Sequence, residues 1–248
     1  MKKTLLVSAL LALLGAIGGY FVAQGLDLSG TIELPDENVL SLALTIQAGV
    51  ITFVLSLVGL LLLKKTPFQL IDKTRAQRGA GLSVLFGLLT GFIIIAGDAA
   101  LFSKFLPELE TNPPSFSLSG LLGGVFYGGI VEEVMMRLFG MTLIIFLISK
   151  LRKGKNPSDK SYWFAIILTS LLFAVGHLPA NALIFGELSF LVTTRAILLN
   201  GIGGMFFGYL YWKYGFWFSV LSHMMAHIGM QVIFIPMFIN ECYCHFTI

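Results

Sequence analysis

Residues 117–149 read SLSGLLGGVFYGGIVEEVMMRLFGMTLIIFLIS. An apolar run of about 20 residues suffices to cross a bilayer as a helix, and this one is longer. Yet Glu132, Glu133 and Arg137 stand near its middle. Each ionisable group at such depth costs on the order of 2.5–3.5 kcal/mol, so the three together would cost roughly 7–10 kcal/mol if unpaired. Glu133 and Arg137 are four residues apart, on one helical face, with the acid on the N-terminal side as the favourable order requires. Glu132 is turned about 100° from Glu133 by the helical period. The pattern predicts that Glu133 pairs with Arg137 and that Glu132 faces something else.

Working outward, apolar segments recur at 4–24, 39–63, 79–101, 162–185, 189–212 and 216–239. The chain of 248 residues is 56% hydrophobic and only 12% charged, about half the charge of a soluble domain. Mean hydropathy is +0.89. A disordered chain, a nucleic-acid binder and a disulfide-stapled secreted domain are all disfavoured. Cys242 and Cys244, one residue apart near the C-terminus, give neither a disulfide framework nor a four-ligand metal site. The expected fold is all-α: a polytopic helical membrane protein of about seven transmembrane helices. The first segment is too long for a signal h-region and is expected to be retained.

The loops alternate in charge. The first carries Asp27, Glu33, Asp36 and Glu37; the second Lys64, Lys65, Lys73, Arg75 and Arg78. The third has Glu108 and Glu110 beside Lys104, and the fourth Lys150, Arg152, Lys153, Lys155 and Lys160. Lys and Arg collect on the cytoplasmic side, which places the N-terminus in the cytoplasm. The basic loop 150–160 is expected to touch anionic lipid. Residues 1–248 are expected to form a single membrane domain, with helices lacking a motif in 1–116 and the core that holds the buried ionisable residues in 117–239. Gly15/Gly19, Gly124/Gly128 and Gly204/Gly208 are spaced for close helix packing. Asp98 and Arg195 read as separate polar tips reaching the outer interface. Trp163, Trp212 and Trp217 read as an interfacial belt at the inner ends.

Two further segments carry chemistry. Phe173-Ala-Val-Gly-His177 sets a ring and an imidazole four apart, and Pro179 weakens the helix just beyond. Alone, His177 reads as a satisfied interior histidine more readily than as a ligand. In Ser222-His223-Met-Met-Ala-His227 two histidines share a face at the i, i+4 spacing of helical zinc sites. Position 224 is Met, so the general base of a zincin is lacking there, and Glu132 on another helix is the candidate.

Glu-Glu-x-x-x-Arg, Phe-x-x-x-His and a late His-x-x-x-polar motif, in this order within membrane helices, resemble the CPBP intramembrane protease family, also called the CAAX-protease and bacteriocin-processing (Abi) family. The resemblance covers about residues 117–232. It implies an intramembrane endopeptidase with Glu132 as the catalytic glutamate, Glu133 and Arg137 completing the first motif, His177 the second and His223 the third. The family usually has Asn where this chain has His227. Glu132 would be the general base on a water, with His177 and His223 orienting it or stabilising the oxyanion. Zn²⁺ held by His177, His223 and His227 is one version of the site, and a metal-free glutamate/histidine mechanism is the other. The implied partners are membrane lipid and a membrane-associated peptide or protein. The Met-Lys-Lys start and short loops suggest a bacterial cytoplasmic membrane, which disfavours a prenylated substrate. An ion-coupled transporter using the same Glu/His cluster is the alternative.

Overall fold

The computed structural model describes residues 1–25, 37–111 and 113–238. Asp27, Glu33, Asp36, Cys242 and Cys244 lie outside the described residues. Among those described, the regular elements are all helices. Seven are long and apolar enough to span a membrane: α1 (Lys2–Gly25), α2 (Asn38–Leu63), α3 (Lys73–Phe102), α4 (Leu118–Leu151), α5 (Asp159–Phe185), α6 (Phe190–Lys213) and α7 (Phe216–Phe238). They are the seven segments of the hydropathy reading, with shifted ends. The largest shift is at α3, which starts at Lys73 rather than at residue 79. Hydropathy marks where apolar residues begin, whereas the helix begins where its first N–H groups find a partner. Here Asp72 accepts from the Thr74 backbone at 3.0 Å and its hydroxyl at 2.6 Å.

α4 is the central helix. Its Val134, Leu138, Met141 and Ile145 are fully buried, and it touches α1, α2, α5 and α7. Small residues let the backbones close. A Cβ on Gly15 would fall 2.5 Å from Thr52 Oγ1, and one on Gly204 2.9 Å from Ser170 Oγ. Lipid is as apolar as leucine, so such close packing supplies the attraction that burial cannot. From Gly124 to Met141, either side of Glu133, α4 is wound as a π-helix, a rare form with i→i+5 bonds that is frequent at functional sites.

The antiparallel order brings the basic loops together. Lys64 Nζ lies 3.4 Å from Thr4 Oγ1, and Lys65 and Lys150 both approach the Phe146 ring. Tyr162 stacks on Trp212 at 4.8 Å. The start of α1, the ends of α2, α4 and α6 and the start of α5 therefore share one end of the bundle. α7 joins it there, with Phe216 and Trp217 N–H groups bonded to the carbonyls of Gln69 and Leu70. At the opposite end one expectation is corrected. Asp98 and Arg195 are not separate interfacial tips: Asp98 is only 6% exposed, and Arg195 Nε donates to its Oδ1 at 2.6 Å while Nη2 donates to Oδ2. Antiparallel spans place the end of α3 beside the start of α6, so two costly charges neutralise each other.

Asp72 supplies a pH test of the α2–α3 loop. The bonds from Thr74 and Arg75 hold its carboxyl down at about 2 against 3.8 when unstructured. A depressed carboxyl pKa adds stability above the unfolded value and loses it as pH falls through the folded one. Asp72→Asn is therefore expected to unfold at lower temperature than wild type at neutral pH. The gap should shrink below 3.8 and close near 2 in a pH series of thermal melts.

Candidate active site

The site is built around a carboxylate without water. Glu133 and Arg137 are both 0% exposed, and Arg137 Nη1 lies 3.0 Å from Glu133 Oε1. Arg137 Nη2 donates to the Gly204 carbonyl at 2.9 Å, and the guanidinium lies over the Phe173 and Phe207 rings at 5.2 and 5.5 Å. Glu133 Oε1 also accepts from His223 Nδ1 at 2.9 Å, and Oε2 accepts from the Ser219 hydroxyl. One acid on α4 is thus paired with a cation of its own helix and takes donors from α7, and its arginine reaches α6.

This arrangement decides the state of His223. With Nδ1–H given to Glu133, the neutral ring presents Nε2 as an acceptor. That Nε2 stands 3.6 Å from Glu132 Oε2, too long for a direct hydrogen bond but close enough for both to touch one water. Glu132 keeps 21% side-chain exposure where Glu133 keeps none. The two adjacent acids are therefore separated by environment, one saturated and one free. His223 is clamped by Phe207, stacked at 4.5 Å, and by the edge of Phe173 at 5.6 Å.

His177 closes the first half of α5. It caps the helix Asp159–Gly176 and opens Leu178–Phe185, with Pro179 in that first turn. Proline has no N–H to carry the ladder on. His177 instead donates from ring Nδ1 to the Phe173 carbonyl at 2.8 Å, so its Nε2 is likewise an acceptor when neutral. His227 stacks on His223 at 5.2 Å and 13°. Its seat is the Gly124/Gly128 pair: a Cβ on Gly128 would lie 2.7 Å from His227 Nε2, and one on Gly124 would overlap the ring. Those glycines were expected to serve packing alone, and they also make room for the histidine.

His177, His223 and His227 line a cavity of about 40 Å³ together with Asn200, Phe173 and Thr90. On that measure a water needs roughly 10–15 Å³, so two or three fit. A zinc site needs three ligands converging on one point. Among the described residues no three His, Cys, Asp or Glu side chains are so placed. Nδ1 of His177 and of His223 is committed, which leaves Nε2 of each facing the cavity.

Residues 114–229 match the family described as type II CAAX prenyl endopeptidase Rce1-like. The matched segment, a little under half of the chain, is the one that carries the three motifs resembling the CPBP family of CAAX proteases. No curated protein and no solved structure matches the chain. The family segment contains all six residues singled out in the sequence, but part of the cavity wall, Thr90 and Ile94, comes from α3 outside it. The sequence reading missed Ser219, Phe207, the Gly204 carbonyl and Asn200. Ser219 alone left a local trace, four residues before His223 on the same helical face.

Removing one partner of a buried ion pair strands the other. Glu133→Gln is therefore expected to lose about 3–5 kcal/mol of stability. Glu132→Gln should unfold within a few degrees of wild type. Thermal denaturation of the two variants side by side in detergent checks the difference.

Proposed function

We propose that the chain is an intramembrane endopeptidase acting on a peptide bond of a membrane-associated peptide or protein, with Glu132 as general base and no required metal. The carrying observation is the pairing of a free Glu132 carboxylate with the fixed acceptor Nε2 of His223 at 3.6 Å, beside a cavity of water size. The family assignment supports proteolysis. The family name points to a prenylated C-terminus, while the residues of the cavity specify only a peptide able to reach a site inside the bundle. We place the protein in a bacterial cytoplasmic membrane with its basic end inward.

In this mechanism a water held by Glu132 and His223 gives one proton to Glu132, which is most effective when poised near the working pH. The second water proton is held by Nε2 of His223 or His177. The resulting hydroxide forms a bond to the scissile carbonyl carbon, and the π electrons move onto the carbonyl oxygen. That oxyanion needs N–H donors aimed at it. His227 makes no hydrogen bond among the described residues, so either nitrogen can carry the proton and donate. Collapse breaks the C–N bond, and the proton returns from Glu132 to the leaving amine.

Cleavage of a fluorogenic membrane peptide in proteoliposomes tests this reading. Glu132→Gln should lower kcat by about 10²–10⁴-fold with the protein still folded, and a strong chelator should leave the wild-type rate unchanged. Full activity in Glu132→Gln would remove the base from the mechanism. Substrate-driven ion flux without any cleavage would make the protein a carrier instead.

A further inference from the structure

We propose that Asn181, held by the buried Asp98–Arg195 pair, is a positioning residue for His177, an inference that rests on the protease reading for its catalytic consequence. The network begins at the end of the bundle away from the basic loops. The Arg195 guanidinium forks onto both oxygens of Asp98 and stands over the Phe185 ring at 5.2 Å. A forked pair of this kind fixes the guanidinium plane. Its remaining arm, Nη1, donates to Asn181 Oδ1 at 2.9 Å.

That bond settles which way the Asn181 amide points. The oxygen must face Arg195, so the NH₂ group faces the other way and donates to the His177 carbonyl at 2.8 Å. The same carbonyl accepts the Asn181 backbone N–H at 3.0 Å. Asn181 is only 6% exposed, so water does not substitute for either partner. Three spans thereby converge on one peptide group: α3 through Asp98, α6 through Arg195, and the second half of α5 through Asn181.

The peptide group they hold is the break in α5. The His177 N–H bonds the Ala174 carbonyl at 3.1 Å, and the Phe173 carbonyl is taken by the His177 ring. The kink therefore has few local bonds of its own, and Pro179 withholds another. Where the His177 ring lies in the cavity depends on how the kink is set. A misplacement of about 1 Å at a reacting group can cost 10²-fold in rate, so loss of the Asn181 link should be visible in turnover.

The experiment pairs kinetics with a readout that does not need proteolysis. Asn181→Ala leaves the Asp98–Arg195 pair in place. It should lower kcat by about ten-fold with KM unchanged, and it should cost nothing further when added to His177→Ala. An equal loss in both backgrounds would overturn the proposal. In ¹⁵N-histidine NMR of the detergent-solubilised protein, the His177 signal is the one absent from His177→Ala. It should show a single Nδ1–H tautomer in wild type and a shifted or averaged signal in Asn181→Ala, with His223 unmoved. An unchanged His177 signal in folded Asn181→Ala would also overturn the proposal. Asn181→Asp, which keeps an acceptor for Arg195 but has no side-chain N–H for the His177 carbonyl, should behave as Asn181→Ala does and serves if the alanine variant fails to fold. A shifted His177 signal in a protein whose wild type cleaves nothing would leave the positioning network standing and remove the protease reading.

Discussion

A carboxylate with no access to water must have its charge met by the protein, and the Glu133 carboxylate is met on both oxygens. Arg137 supplies the countercharge, and His223 and Ser219 supply the donors. Because those groups come from α4 and α7, and Arg137 reaches on to the α6 backbone, satisfying one acid fixes three helices relative to one another. An ion pair buried this deeply adds little net stability over an apolar replacement, yet leaving it half-made is costly. It therefore acts as a register device: helix positions that break the set are excluded by their unpaired charge. The same bonds set the tautomer of His223 and leave Glu132, one residue away, outside the saturated set. By taking over the balancing of Arg137, the structural acid leaves Glu132 available for the role proposed for it.

The three cavity histidines are held by three different means. His223 is held by the Glu133 carboxylate at Nδ1. His177 is held by the Phe173 carbonyl at its ring and by Asn181 at its backbone. His227 is held sterically, in the space left by Gly124 and Gly128 and against the face of His223. The first two arrangements are polar and directional, so they define which nitrogen carries the proton. The third defines position and leaves the proton free to choose.

Much of the fold was legible because the bilayer allows few solutions. Backbone groups in lipid must be satisfied within the segment, so a run of apolar residues of sufficient length becomes a helix. Charge alternation between loops then orders the helices up and down. The proximity of Glu133 and Arg137 was legible for a similar reason, since four residues on one helix are neighbours whatever surrounds them. Contacts between distant parts of the chain were not. Asp98 and Arg195 are separated by 97 residues and Glu133 and Ser219 by 86, and neither pairing leaves a local period. Read singly, Asp98 and Arg195 each suit an interface; only the packing of α3 against α6 makes them one unit. The seat of His227 was hidden for another reason: a glycine records the absence of a side chain without naming what fills the space.

The state of the histidines bears directly on how the proposed chemistry divides. A neutral imidazole whose Nδ1–H is committed offers a lone pair at Nε2 and no proton. Nδ1 of both His177 and His223 is committed, so in that form each is suited to accept a hydrogen bond from water rather than to donate to a developing oxyanion. Oxyanion stabilisation demands a donor that already carries its proton before the reaction. Of the three, only His227 lacks a hydrogen bond among the described residues that fixes its tautomer. The family places an asparagine at that position, whose amide is a permanent N–H donor. An imidazole can serve there because its surroundings leave its N–H uncommitted, and the glycine pair of α4 leaves space for a ring larger than an amide.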